Sequence, residues 1–216
     1  MKRFIFLVIT LSLLNSCKKE GLMIGMHRTP YMISVYIILK EISCFTDTSE
    51  GKNVINLWLG GDHISSNDDR FDYFNKLYKD TSFNMYNYPS EYTALAYPFD
   101  KITLSCNTDY DATHPAGMPL DDIVKLKFSS YWDFIQSGYK YPKWYKKPEW
   151  ESGCALNYEY YLSEINYNNT KLMTPPPYDP HIIFTSTPAA LGEYCFTLKL
   201  TTNGETFTTT FTHTFE

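Results

Sequence analysis

Most of the signatures that would assign this chain a reaction are missing from its sequence. Its Cys and His residues show no CxxC or Cys/His spacing of the kind that builds a zinc site. GxSxG and HExxH are absent, as is any glycine-rich loop that could cradle a phosphate. Asp and Glu are scattered, and no pair falls at a spacing that defines an acid/base couple. With a net charge of −5 and no basic stretch suited to a phosphate backbone, nucleic acid is excluded as a partner. No apolar run reaches the roughly 20 residues of a membrane-spanning helix, and no repeat is visible at periods of 20 to 50 residues. These absences argue against an enzyme and against a resident cofactor.

The N-terminus carries the clearest positive signal. Met1-Lys2-Arg3 is followed by eleven uncharged, mostly apolar residues, Phe4 to Leu14, and then by Asn15-Ser16-Cys17. This is the layout of an export signal, with a basic start, a short apolar centre and a small residue before the cut. Leu14-Asn15-Ser16-Cys17 resembles the lipobox of bacterial lipoproteins. The resemblance implies a signal over residues 1–16, lipidation of Cys17 and a short tether over 17–30. Three acyl chains exceed the two-signal requirement for stable anchoring. Lys18 rather than Asp after the cut resembles the sorting pattern of outer-membrane lipoproteins, and Lys18-Lys19 lacks an acidic surface-export tag. A periplasm-facing, outer-membrane address is therefore expected, with the membrane as partner through the N-terminal lipid. Losing Lys2 and Arg3 takes the net charge from −5 to −7.

With Cys17 assigned to lipid, Cys44, Cys106, Cys154 and Cys195 remain. Four cysteines allow three pairings, and the spacing selects none of them. An exported domain permits disulfides, whereas buried thiols are the other reading.

Residues 31–216 read as one domain. Aromatics make up 17% of the chain, too many for a disordered sequence. Tyr31 to Leu39 is a buried-strand pattern, and Asn53 to Leu59 alternates before Gly60-Gly61-Asp62, which reads as a turn. A helix is expected after Asn67, with Phe71, Phe74, Leu77 and Tyr78 as its apolar stripe. Lys101 to Cys106 alternates again. Asn203-Gly204 is the favoured two-residue type I′ turn and pairs positions that sum to 407, such as Phe196 with Phe211. One face of that hairpin is apolar; the other is rich in Thr and carries Cys195. The expected fold is an immunoglobulin-like or related antiparallel β-sandwich with a small helical insert.

Two segments could contact a ligand. Asp109-Tyr110-Asp111, His114-Pro115-Ala116-Gly117 and Leu120-Asp121-Asp122 follow a strand. Together with the lipobox and the terminal Gly-Glu-Tyr-x-Phe hairpin, this pattern resembles uncharacterised Bacteroidota lipoproteins that carry a domain of unknown function, a likeness that implies fold and address but no activity. Asp109 and Asp111 supply oxygen ligands of the kind calcium uses, but not at EF-hand spacing, and such Asp-rich loops more often form Asx turns, so no metal is expected. Between Tyr139 and Trp150 the chain is dense in aromatics, lysines and prolines. With Trp132, its Trp144, Tyr145 and Trp150 could stack on a glycan, or simply pack the loop down. His213 falls on the apolar parity of the last strand, as a satisfied core histidine would. The functional expectation is a membrane-anchored, non-catalytic envelope lipoprotein that binds a partner or plays a structural role, with glycan binding as the alternative and an envelope hydrolase behind it.

Overall fold

A computed structural model describes residues 27–46, 51–87, 92–146, 154–175 and 180–216. The signal, Cys17 and Trp150 lie outside these residues. The first strand, β1 (His27–Thr29), is followed by β2 (Val35–Thr46), β3 (Val54–Ile64), helix α1 (Arg70–Tyr78), β4 (Met85–Asn87), β5 (Thr93–Leu95) and β6 (Phe99–Cys106). After these come β7 (Val124–Ser130), helix α2 (Trp132–Gln136), β8 (Leu156–Tyr161), β9 (His181–Phe184), β10 (Gly192–Thr202) and β11 (Glu205–Phe215). β1 falls within the stretch expected to be a bare tether and pairs with β4.

Two larger sheets form a mainly-β sandwich with a small helical insert. One has the order β11-β10-β6, the other β5-β2-β3-β9-β7-β8. Pairing is antiparallel except at one edge, where β5 runs parallel to β2. The sheets meet through interdigitating aromatics: Phe184 of β9 lies 4.9 Å from Phe196 of β10 and 5.3 Å from Phe215 of β11, ring centroid to centroid. Tyr110, fully buried, stacks beside Phe184 and meets Phe215 edge-on. Each such ring removed from water contributes about 1.5–3 kcal/mol.

The C-terminal hairpin has the anticipated register from Gly192 opposite Phe215 to Thr202 opposite Glu205. Its turn residues Asn203 and Gly204 both have positive φ (49° and 76°), as a type I′ turn requires. Phe196, Leu198 and Leu200 are buried, and across β6 they pair with Cys106, Leu104 and Ile102.

Two expectations need correction. Gly60-Gly61-Asp62 is not a turn; β3 runs through it to Ile64. Opposite these glycines β2 carries an irregularity between Leu39 and Glu41, so Lys40 is the extra residue of a bulge. A Cβ on Gly61 would stand 1.9 Å from the Ile38 carbonyl oxygen, and one on Gly60 would stand 2.0 Å from the Trp58 ring. The glycines are there so that a backbone and an indole can come close. The helical stripe is also different: Phe71, Phe74, Asn75 and Tyr78 are buried, while Leu77 is 47% exposed. Asn75 takes the inner position because its side-chain oxygen accepts a hydrogen bond from the Tyr36 hydroxyl at 2.8 Å.

Helix α1 ends in a Schellman arrangement. Lys79 adopts the left-handed conformation (φ 57°), its N–H donates to the Lys76 carbonyl, and the Asp80 N–H donates to the Asn75 carbonyl. This reversal turns the Asp80 side chain, fully buried, toward the start of β2.

The β2–β3 approach makes a graded prediction. Gly61→Ala should lower unfolding stability by about 1–3 kcal/mol in a denaturant titration, because the obstacle is backbone. Gly60→Ala should cost less, because the Trp58 ring can swing aside. Equal and negligible losses would contradict the close approach.

Candidate functional site

The acidic turn joins β6 to β7 and is tied down by its own side chains. Asp109 accepts a hydrogen bond from the Ala116 N–H at 2.8 Å. Asp111 Oδ1 accepts from the Thr113 N–H (2.7 Å), the Thr113 hydroxyl (2.7 Å) and the His114 N–H (2.9 Å). The Asp111 contacts are those of an Asx turn, a common use of the carboxylates in an Asp-rich loop, whereas Asp109 ties the turn across seven residues. Gly117, with φ +80°, donates its N–H to the Cys106 carbonyl at 2.7 Å, and the Tyr110 hydroxyl donates to the Ser186 carbonyl.

His114 is the centre of this turn. Its ring is buried, with Nδ1 2.9 Å from Asp111 and Nε2 3.0 Å from Asp122. Both nitrogens face carboxylates, so the doubly protonated ring satisfies both contacts at once. Burial alone would lower its pKa, but the hydrogen bonds to Asp122 and Asp111 reverse the sign and hold it above the ordinary histidine value. The Thr113 hydroxyl, with help from His114, holds Asp111 down at about 2. Asp121 behaves differently: burial raises its pKa, and one of its oxygens has no partner among the described residues.

The aromatic loop is mounted on α2. Tyr141 meets Phe134 edge-on at 5.3 Å, Tyr145 stacks on Tyr141 at 5.6 Å and 12°, and Trp144 stands perpendicular to Tyr145 at 5.9 Å. Tyr145 is partly buried, whereas Trp144 is 61% exposed. Trp132 packs edge-on against Tyr78 and carries the Lys171 ammonium over its ring at 4.6 Å. The two segments do not converge. The acidic turn precedes β7 and the aromatic loop follows it, so the strand, about 20 Å long, stands between them.

Cys44, Cys106 and Cys195 carry free thiols. Cys106 faces the core and Cys195 the opposite side of the adjacent strand, while burial pushes the Cys44 thiol up to about 12. Cys154 Sγ lies 3.9 Å from the Tyr92 hydroxyl. Among the described residues no group of three or more His, Cys, Asp or Glu is arranged to hold a metal ion.

His213 is on the core face, as its parity implied, but it is not satisfied. Both ring nitrogens lack partners among the described residues, and the ring lies parallel to Phe184 and edge-on to Phe215. Burial lowers its pKa.

One fully buried carboxylate that sequence reasoning passed over joins three separate segments. Asp80 accepts the Met32 N–H at 2.8 Å, the Ile33 N–H at 2.8 Å and the Tyr139 hydroxyl at 2.9 Å. Burial raises its pKa, and the Ile33 and Met32 N–H groups and the Tyr139 hydroxyl oppose that rise. Compared with known proteins, the chain matches no family model, no curated protein and no solved structure.

The two buried histidines should imprint opposite pH dependences on stability. The His114 contribution is full below the ordinary histidine pKa of about 6.5 and is lost as pH rises through its elevated folded value. The His213 contribution has the other sign: it is full above about 6.5 and is lost as pH falls. Chemical denaturation across pH 5 to 9 should therefore show His114→Gln removing the alkaline decline and His213→Phe removing the acid decline. Curves for both variants that parallel the parent would contradict these environments.

Proposed function

We propose that this chain is a lipid-anchored bacterial envelope protein whose β-sandwich acts by binding or by structural contact rather than by catalysis. The observation that carries this reading is the N-terminal succession of basic start, short apolar centre and Leu14-Asn15-Ser16-Cys17. In it, Cys17 bears the lipid and the domain sits at the outer membrane, facing the periplasm. No helix among the described residues is long and apolar enough to cross a membrane.

Asp109, Asp111 and His114, the polar groups of the acidic turn best placed for chemistry, are engaged within that turn. Asp109 and Asp111 spend their oxygens on the backbone of their own turn, and His114 is held at both nitrogens by carboxylates. A general base needs a ring nitrogen with a free lone pair at the reacting proton. To a glycan the described loop offers one exposed indole, Trp144, with the acidic side chains at the other end of β7. A sugar platform works best with several coplanar rings and polar groups close together, so the anchored, non-catalytic reading has more support than the glycan-binding one.

Cys17→Ala tests the anchor. The parent should yield an N-terminal peptide with the mass of a multiply acylated cysteine, and the variant should accumulate as an unacylated precursor. Normal acylation of the variant would overturn the assignment.

A further inference from the structure

We infer that the loop Tyr139–Lys146 is a membrane-contacting element that seats the anchored end of the domain on an anionic lipid surface. The inference rests on the lipid-anchor reading above.

Two independent features lead to it. The first is position. The Asp80 carboxylate binds the Met32 and Ile33 N–H groups on one side and the Tyr139 hydroxyl on the other. The Phe83 N–H donates to the Pro30 carbonyl at 2.8 Å, and the Phe83 ring packs on Tyr139 at 5.2 Å. The loop therefore leaves the domain where the N-terminal segment enters it. Ten residue steps separate Cys17 from His27, which limits that distance to about 35 Å even when fully extended. A lipid on Cys17 thus holds this end of the sandwich near its membrane.

The second feature is chemistry. Lys140, Lys143 and Lys146 are exposed and form no ion pair among the described residues, and no acidic residue occurs between Tyr139 and Lys146. In a chain of net charge −5 this is a local reversal of sign. Trp144 rises from the middle of the lysines, 61% exposed and braced by the Tyr145–Tyr141 stack. Ammonium groups are drawn to anionic headgroups within about one Debye length. An indole with an apolar body and a polar N–H settles at the level of the headgroups. The braced stack means that little side-chain freedom is lost on docking.

The full chain, purified with its lipid, is incorporated into phosphatidylcholine vesicles with and without phosphatidylglycerol, using bromine-labelled acyl chains as quenchers. Tryptophan quenching should rise with phosphatidylglycerol, be largely lost in Trp144→Phe, and fall at least about tenfold in docked fraction when Lys140, Lys143 and Lys146 are all changed to Glu. A chain that floats with the vesicles but whose quenching ignores both variants overturns the loop assignment while leaving the anchor intact. A chain that does not float, with an unacylated Cys17 peptide, overturns the anchor and with it this orientation. Trp144-dependent binding to soluble alginate without vesicle quenching also overturns the proposal and makes the loop a site for acidic glycans.

Discussion

One buried carboxylate holds together the end of the molecule on which the functional reading depends. Asp80 is fully buried and accepts hydrogen bonds from two successive backbone N–H groups and a tyrosine hydroxyl. A hydrogen bond to a charged group contributes about 1.5–3 kcal/mol, and a buried donor left without one incurs a desolvation penalty of similar size. The carboxylate is desolvated itself, so the arrangement holds only while all its donors stay in place. The Schellman turn after α1 aims it, Met32 and Ile33 just before β2 supply the amides, and the aromatic loop supplies the hydroxyl. Helix, chain entry and loop thus form one rigid corner.

The rest of the sandwich is governed by a different constraint, the contact of aromatic rings between two sheets. Phe184, Phe196, Phe215 and Tyr110 interlock there, and His213 shares their cage with two nitrogens that have no partner among the described residues. The acidic turn is pinned to this core by Tyr110, and Asp109 and Asp111 are occupied by hydrogen bonds within the turn. The proposed membrane contact lies instead at the Asp80 corner, where lysines and an exposed ring coincide.

How much of this was legible in the sequence depended on whether local chemistry or a distant partner decided the outcome. Asn203-Gly204 prescribes its own turn, so the register of β10 and β11 was readable residue by residue. Asp111 bonds the backbone two and three positions on, and its Asx-turn use was equally readable, whereas the Asp109 bond to Ala116 spans seven residues. Gly60-Gly61 was misread because a glycine pair suits a turn or a close approach, and the deciding Ile38 carbonyl sits on another strand. Leu77 was placed inside because it is apolar, although the inner position went to Asn75, whose partner Tyr36 is 39 residues away. Asp80 gave no signal at all: its amide partners lie 47 and 48 residues before it and Tyr139 lies 59 after it.

The central claim is that Asp80 couples the chain entry to the aromatic loop. Amide hydrogen exchange on the parent and on Asp80→Asn tests it most directly, because the near-isosteric amide keeps the shape but exchanges an acceptor for a donor. The account predicts faster exchange at Met32, Ile33 and Ser82 together, the last because its N–H donates to the Tyr139 hydroxyl at 3.1 Å, with the β10–β11 hairpin unchanged. Undiminished protection at Met32 and Ile33 in the variant would contradict it.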